Sequence, residues 1–261
     1  MGILNVTPDS FSDGGRHQDA ESARGRFAQI ASEGAAICDV GAESTRPGAD
    51  AVAPDEQLRR LDPLFAAMDQ GAPVAVSIDT SSVVVAERAI DHGAVLVNDV
   101  TAGRGDPGMF DLVADRGCAV CLMHMRGEPR TMQVAPEYDD VVAEVRAMLA
   151  ERIEAAVRAG IDQDAILIDP GIGFGKRLSD NLALLANLGA LRSLGVPVVV
   201  GVSRKRVFGD LLGRGVDDRL AASLSAALSA VARGADVVRV HDVRETVDAL
   251  RVRAAIDGAA V

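Results

Sequence analysis

The stretch HGAVLVNDVTAGRGDPGMFDLVADRGCAVCLMHM, residues 92–125, carries two apolar runs of strand length with a helix-spaced segment between them. Residues 94–99 and 118–124 are β-branched or apolar almost throughout, each follows a glycine, and each ends on polar side chains. A strand with one wet face alternates apolar and polar residues. A nearly continuous apolar strand is buried on both faces, as in a parallel sheet covered by helices. The segment between the two runs is long enough to carry the crossover that parallel pairing requires.

Outward from this unit the pattern repeats. Strand-like runs occur at 2–6, 35–40, 73–79, 94–99, 118–124, 165–170, 197–203 and 236–242, separated by helix-spaced segments such as DAESARGRFAQIASEG, PDEQLRRLDPLFAAMDQG and YDDVVAEVRAMLAERIEAAVRAG. Many of these end in glycine, at Gly34, Gly71, Gly93, Gly117, Gly160 and Gly234, the usual helix stop. Eight even units without an internal linker predict a single (β/α)8 barrel domain over residues 1–261. An open doubly wound sheet is the alternative, disfavoured because no glycine-rich dinucleotide turn follows the first strand.

Composition narrows the function. Of 261 residues, 48% are hydrophobic, enough for a substantial core, and the formal net charge is −11. Nucleic acid and anionic membrane would be repelled on average, so neither is an expected partner. No apolar run reaches the length of a membrane span and no charged-then-apolar leader precedes the first strand, so the expected location is cytoplasmic. Cys118 and Cys121 form CAVC, but residues three apart on a strand face opposite sides. They read as buried, reduced thiols.

The ends of the eight runs are more informative. In order they carry Asn5, Asp39, Asp79, Asn98 with Asp99, His124, Asp169, Ser203 with Lys205, and Arg239 with His241. One such residue is usually a helix cap. Caps, however, do not call for Lys, Arg and His, and barrel enzymes build their sites at this rim. Cations gather there as well, namely Arg46, Arg126, Arg130, Lys176, Arg204, Lys205, Arg239 and His241, which in an acidic chain points to an anionic ligand. Asp79, Asn98 and Asp169 offer acceptors and donors to a flat heterocycle, since a carboxylate takes two parallel N–H groups from an amidine-like edge. DPGIGFGK lacks P-loop spacing, and no Ser-His-Asp order, HExxH or dense His/Cys cluster is present.

The blocks MGILNVTPDSFSDGG, DVGAESTRPGA, SIDT, VNDV, MHMRGEPRTMQ, DPGIGFGK, GVSRK and RVHDV resemble, in order and approximate spacing, those of the dihydropteroate synthase family. The resemblance implies condensation of 6-hydroxymethyl-7,8-dihydropterin diphosphate with 4-aminobenzoate to give dihydropteroate and diphosphate. It implies that Asp79, Asn98, Asp169 and Lys205 hold the pterin. Arg239 and His241, with Asn5 and Mg2+, would hold the diphosphate, and Thr45 would border it. Phe11, Thr45, Arg46, Pro47, Phe174, Ser203 and Lys205 would line or close the aminobenzoate pocket. Lys205, Asp79, Arg239 and His241 are the expected catalytic set, and a homodimer is the expected assembly. On this reading the polar loops NVTPDSFSDGG and GAESTRPGADAVAP are lids, mobile in the free protein and ordered by diphosphate and Mg2+. Two alternatives are a pterin-binding methyltransferase barrel acting on methyltetrahydrofolate and a catalytically dead paralogue. The first has no use for STRPG, SRK and RVHD around a diphosphate; the second should have lost parts of the first two blocks, which here are intact.

Overall fold

The computed structural model describes residues 1–6, 15–44, 50–127 and 131–259, with backbone alone for 15–20. Phe11, Thr45, Arg46, Pro47 and Arg130, and with the first four, residues 7–14 and 45–49 of the expected lids, lie outside the described residues. Strands and helices alternate as β1 (Gly2–Asn5), α1 (Gly15–Ser32), β2 (Ile37–Gly41), α2 (Pro54–Met68), β3 (Ala75–Asp79), α3 (Val83–Asp91), β4 (Leu96–Asp99) and α4 (Met109–Arg116). They continue as β5 (Ala119–Met123), α5 (Val141–Arg158), β6 (Ile166–Asp169), α6 (Leu178–Ala186), α7 (Leu188–Arg192), β7 (Val199–Gly201), α8 (Arg206–Leu212), α9 (Leu220–Ala232), β8 (Val237–Arg239) and α10 (Val243–Ala259). All eight expected strands are present, seven inside their expected runs and β2 reaching one residue beyond its run, to Gly41.

Six strands form one parallel sheet in the order β1 to β6, and β7 pairs with β8 in a second. Single parallel bridges, Ile168 to Val198 and Gly2 to Val240, join the two sheets at both seams and complete the round of a (β/α)8 barrel. The seams are narrow for local reasons. Pro197 has no N–H, so it can only accept, from Ile168 at 3.0 Å. Val198 donates its N–H to the Asp236 carboxylate at 2.9 Å.

The helix layer follows from four-residue spacing. Along α5, Val141, Val145, Leu149, Ile153 and Ala156 are buried on one face, and Asp140 caps the start by accepting from Val142 and Ala143 N–H at 3.0 Å each. Each large aliphatic buried this way contributes about 1.5–3 kcal/mol relative to leaving it in water. Inside the barrel a smaller cluster gathers Leu96, Cys121 and Val199 with Leu167 and Val237. Cys118 belongs instead to the outer core, so the CAVC thiols face opposite sides; burial raises both thiol pKa values and keeps them unreactive. Gly117 ends α4 in the left-handed conformation, φ 62°, and turns the chain into β5. Among the described residues no helix is long and apolar enough to cross a membrane.

Register decides what fills the mouth. Asn5, Gly41, Asp79, Asn98, Cys121 and Leu167 are consecutive partners across β1 to β6, with Ile3, Asp39 and Ser77 two residues below on the first three strands. Gly201 pairs with Arg239 on the closing side. A Cβ on Gly41 would lie 3.3 Å from the Asp79 Cβ, so glycine there keeps the layer open for its neighbour.

Candidate active site

Polar side chains pack where a barrel interior is normally aliphatic. Arg239, on β8, donates from Nη2 to Asp79 Oδ2 at 2.6 Å and from Nε to Asp39 Oδ2 at 2.5 Å. Asn98 Nδ2 donates to the same Asp39 oxygen at 3.1 Å. Because Asp39 can only accept, the Asn98 amide must turn its NH2 toward it, which leaves Asn98 Oδ1 as the outward acceptor. Asp39 is fully buried, and Asp39 Oδ1, Ser77 Oγ and Asp79 Oδ1 are buried without a partner. Unsatisfied buried oxygens are costly, and a cluster in a cavity mouth is what a donor-bearing ligand would satisfy.

The charges are tuned accordingly. Burial pushes the Asp79 carboxyl up to about 7, with Arg239 opposing and Asp39 adding to the rise. Asp169 is also raised by burial, while the Gly171 N–H and Lys205 hold it down. For Arg239, burial works against the charge, but Asp39 and Asp79 outweigh it and keep the guanidinium protonated.

Asp169, at the end of β6, accepts from Gly171 N–H at 2.6 Å through Oδ1. Its Oδ2 side faces β7, where a Cβ on Gly201 would come no closer than 3.9 Å. The loop that follows, DPGIGFGK, uses its own backbone groups. Gly173 N–H goes to Asn181 Oδ1 at 2.6 Å, Phe174 N–H to Gly171 O at 3.0 Å, and Gly173 O and Gly175 O accept from Gln133 and Tyr138 at 2.6 and 2.7 Å. A loop so occupied is not a phosphate cradle. It is a rigid shelf that sets the Phe174 ring 4.4 Å from Lys205 Nζ in a cation–π contact.

Lys205 and Ser203 flank Arg204, whose backbone is left-handed at φ 57°. Arg204 N–H donates to Ser223 Oγ at 2.8 Å, and its side chain forms a two-pronged pair with Asp242. That anchoring holds the kink, turning Arg204 aside. Ser203 Oγ accepts from the His241 N–H at 3.1 Å and lies 3.2 Å from His241 Nδ1, so the ends of β7 and β8 are tied together. Asn5 ends β1 half-buried.

The structure therefore brings Asp79, Asn98, Asp169, Lys205, Arg239, Phe174, Ser203 and His241 to one end of the barrel. Besides Arg204, two cations expected at the rim have other work. Arg126 is held by Glu137 O and Glu144 against the Tyr138 ring, and Lys176 is turned inward, 3% exposed. Asp39 was expected at the rim but given no role, and Ser77 and the space-making Gly41 and Gly201 were not expected as site residues. Asp39 was visible only as a charge closing an apolar run, a signal shared with every helix cap.

The sequence profile of the family described as "Pterin binding enzyme" matches residues 1–241. Dihydropteroate synthase of Escherichia coli strain K12 is 48% identical over 252 residues, covering 97% of this chain and 89% of the relative. The Mycobacterium leprae enzyme of the same name is also 48% identical, over 261 residues, 97% of this chain and 91% of the relative. Among solved structures, Xanthomonas albilineans dihydropteroate synthase with 4-aminobenzoic acid has a TM-score of 0.93 at 51% identity, covering 100% of this chain and 93% of that one. The same protein in complex with 7,8-dihydropteroate has a TM-score of 0.89 at 48% identity, with the same coverage.

Proposed function

The chain belongs to the pterin-binding enzyme family, and from that premise we propose that it is a transferase joining 6-hydroxymethyl-7,8-dihydropterin diphosphate to 4-aminobenzoate. The products are 7,8-dihydropteroate and diphosphate. The observation that carries this reading is the buried acceptor set at the barrel mouth, Asp79, Asn98 Oδ1 and Asp169, with unpartnered oxygen on Asp39 and Asp79. A pterin edge is rich in N–H donors, and a carboxylate held near neutrality by burial regains its charge when such donors arrive. Lys205 is assigned to the pterin as well, its ammonium held over the Phe174 ring.

Chemistry is driven by the leaving group. An aryl amine is a modest nucleophile, and no side chain here acts on it as a strong base. The bond from the pterin methylene to the diphosphate oxygen breaks with its electron pair on oxygen, the conjugated ring stabilises the methylene cation, and the amine nitrogen then bonds to it and releases a proton. The protein contributes positioning, exclusion of water and positive charge near the departing oxygens. Two of the five Arg239 N–H groups already serve Asp39 and Asp79, and those that remain are assigned to the diphosphate. His241 is assigned to the diphosphate beside it.

Mg2+ is the implied cofactor. Among the described residues no group of three His, Cys, Asp or Glu could hold a metal. Asn5 offers one hard amide oxygen at the rim, which fits an ion that keeps waters and takes its remaining ligands from substrate phosphate. Bound there, Mg2+ supplies charge neutralisation to the leaving diphosphate. Formation of 7,8-dihydropteroate should therefore require 4-aminobenzoate, and diphosphate release should stop in excess chelator; release unaffected by chelator, or no dihydropteroate from the two substrates, would overturn this reading. Ser203 is assigned to the aminobenzoate side together with Phe174, Phe11, Thr45, Arg46 and Pro47. The expected setting is cytoplasmic.

Asp169→Asn tests the pterin grip. Gly171 N–H obliges residue 169 to keep an oxygen toward the loop, so an asparagine would turn its NH2 toward the ligand's N–H edge. The loss is about 1.5–3 kcal/mol, or roughly 10- to 150-fold in affinity for 6-hydroxymethyl-7,8-dihydropterin by calorimetry. Unchanged affinity would leave Asp169 as a loop-orienting residue only.

A homodimer is proposed on the family resemblance, and one surface fits it. Leu182 of α6 and Leu211 and Leu212 of α8 are 40%, 51% and 55% exposed beside an apolar groove of about 500 Å3 that reaches α9. Leu211→Glu with Leu212→Glu should shift sedimentation to monomer; an unchanged sedimentation profile would remove this surface from the interface.

A further inference from the structure

We propose that Lys176 and His124 are a positioning pair that sets the geometry of both substrate pockets from beneath, an inference that rests on the function proposed above. Lys176 Nζ donates to His124 Nδ1 at 2.9 Å, Gly171 O at 3.0 Å and Phe174 O at 2.9 Å. An ammonium has three donors, and all three are engaged. The partners are not arbitrary. Gly171 is the residue whose N–H orients Asp169, and Phe174 is the residue whose ring carries Lys205. His124 comes from the end of β5, so one buried cation ties β5 to the shelf after β6 and, through Phe174, to the loop after β7.

Stability is a poor reason for such a lysine. Burial pulls Lys176 down to about 7 and His124 to about 3, with Asp169, Asp180, Lys205 and Arg126 facing the lysine and Arg104 and Arg126 the imidazole. When Lys176 is protonated the neutral imidazole accepts from it, and positive charge stands behind Asp169. A charge so disfavoured by its surroundings is accounted for by what it holds in place.

The experiment measures KM for each substrate, with kcat, in the wild type and in Lys176→Met, His124→Leu and His124→Asn. Lys176→Met and His124→Leu should each raise KM for both substrates about tenfold or more, equivalent to about 1.4 kcal/mol. His124→Asn, whose Oδ1 can stand where Nδ1 stood, should recover most of that loss. In a Phe174→Ala background Lys176→Met should no longer change KM for 4-aminobenzoate while still weakening the pterin substrate. Wild-type KM values in Lys176→Met, equal defects in His124→Leu and His124→Asn, or an undiminished aminobenzoate effect in Phe174→Ala would each overturn the inference. If Lys176→Met fails to fold, the two His124 variants decide it. A wild type that releases no diphosphate from the two substrates would instead overturn the proposed reaction, and this inference with it.

Discussion

Replacing Arg239 with alanine is expected to destabilise the protein by about 3–5 kcal/mol at pH 8, the usual consequence of stranding a buried charge. Two carboxylates lose their partner together, because Arg239 spans Asp39 and Asp79 through Nε and Nη2. The pH dependence identifies the cause. In the wild type the Asp79 pKa is raised from 3.8 to about 7, so the folded protein binds a proton more readily than the unfolded chain. The stabilisation from that proton is complete below the unfolded pKa near 4 and is lost as pH rises through about 7. Arg239 is what restrains the rise. Without it the Asp79 pKa climbs further, and the deficit of the variant shrinks as pH falls and the carboxylate takes up its proton. Denaturant unfolding of wild type and variant at pH 6 and pH 8 measures this. Parallel stability curves would show that Arg239 does not hold the acidic pair.

Gly171→Ala is expected to lose more than about 3 kcal/mol, through left-handed strain and a direct backbone clash. The residue sits at φ 67°, and a Cβ would lie 1.9 Å from the His124 carbonyl oxygen. Neither atom has a flexible end that can swing away, so β5 and the shelf after β6 would have to part. Gly173→Ala is the matched control. Its φ is also positive, at 84°, but the nearest atom to a new Cβ is Lys205 Cδ at 3.5 Å. It should cost only the conformational penalty, about 1–2 kcal/mol. Thermal unfolding of the two variants separates the effects, and equal losses would mean the shelf does not bear on β5. Any folded Gly171→Ala should also bind pterin weakly, because the displaced N–H is the partner of Asp169.

Lys176 is the instructive case for what could be read in advance. In sequence it is a lysine following glycines at the mouth of a barrel, indistinguishable from one reaching for phosphate. Its direction depends on the loop conformation, which depends on Asn181, Gln133 and Tyr138 arriving from elsewhere in the chain. Asp39 shows the complementary limit. Its position at a strand end was legible, but its role comes from register: β2 is offset so that Asp39 sits below Asp79 and Asn98 and can accept from both Asn98 and Arg239.

By itself the sequence determined the eight strands, their parallel pairing, the rim at which a site would form and the chemical types gathered there. Those follow from local periodicity, from burial on both faces and from which residue ends each run, all one-dimensional quantities. Tertiary structure alone decided which charges pair. Arg239 stands 200 positions from Asp39 and 160 from Asp79, and Lys176 stands 52 from His124. Barrel closure brings these residues within hydrogen-bond distance, and inside a low-dielectric mouth distances of a few ångströms, not residue types, set the protonation states and the direction each side chain faces.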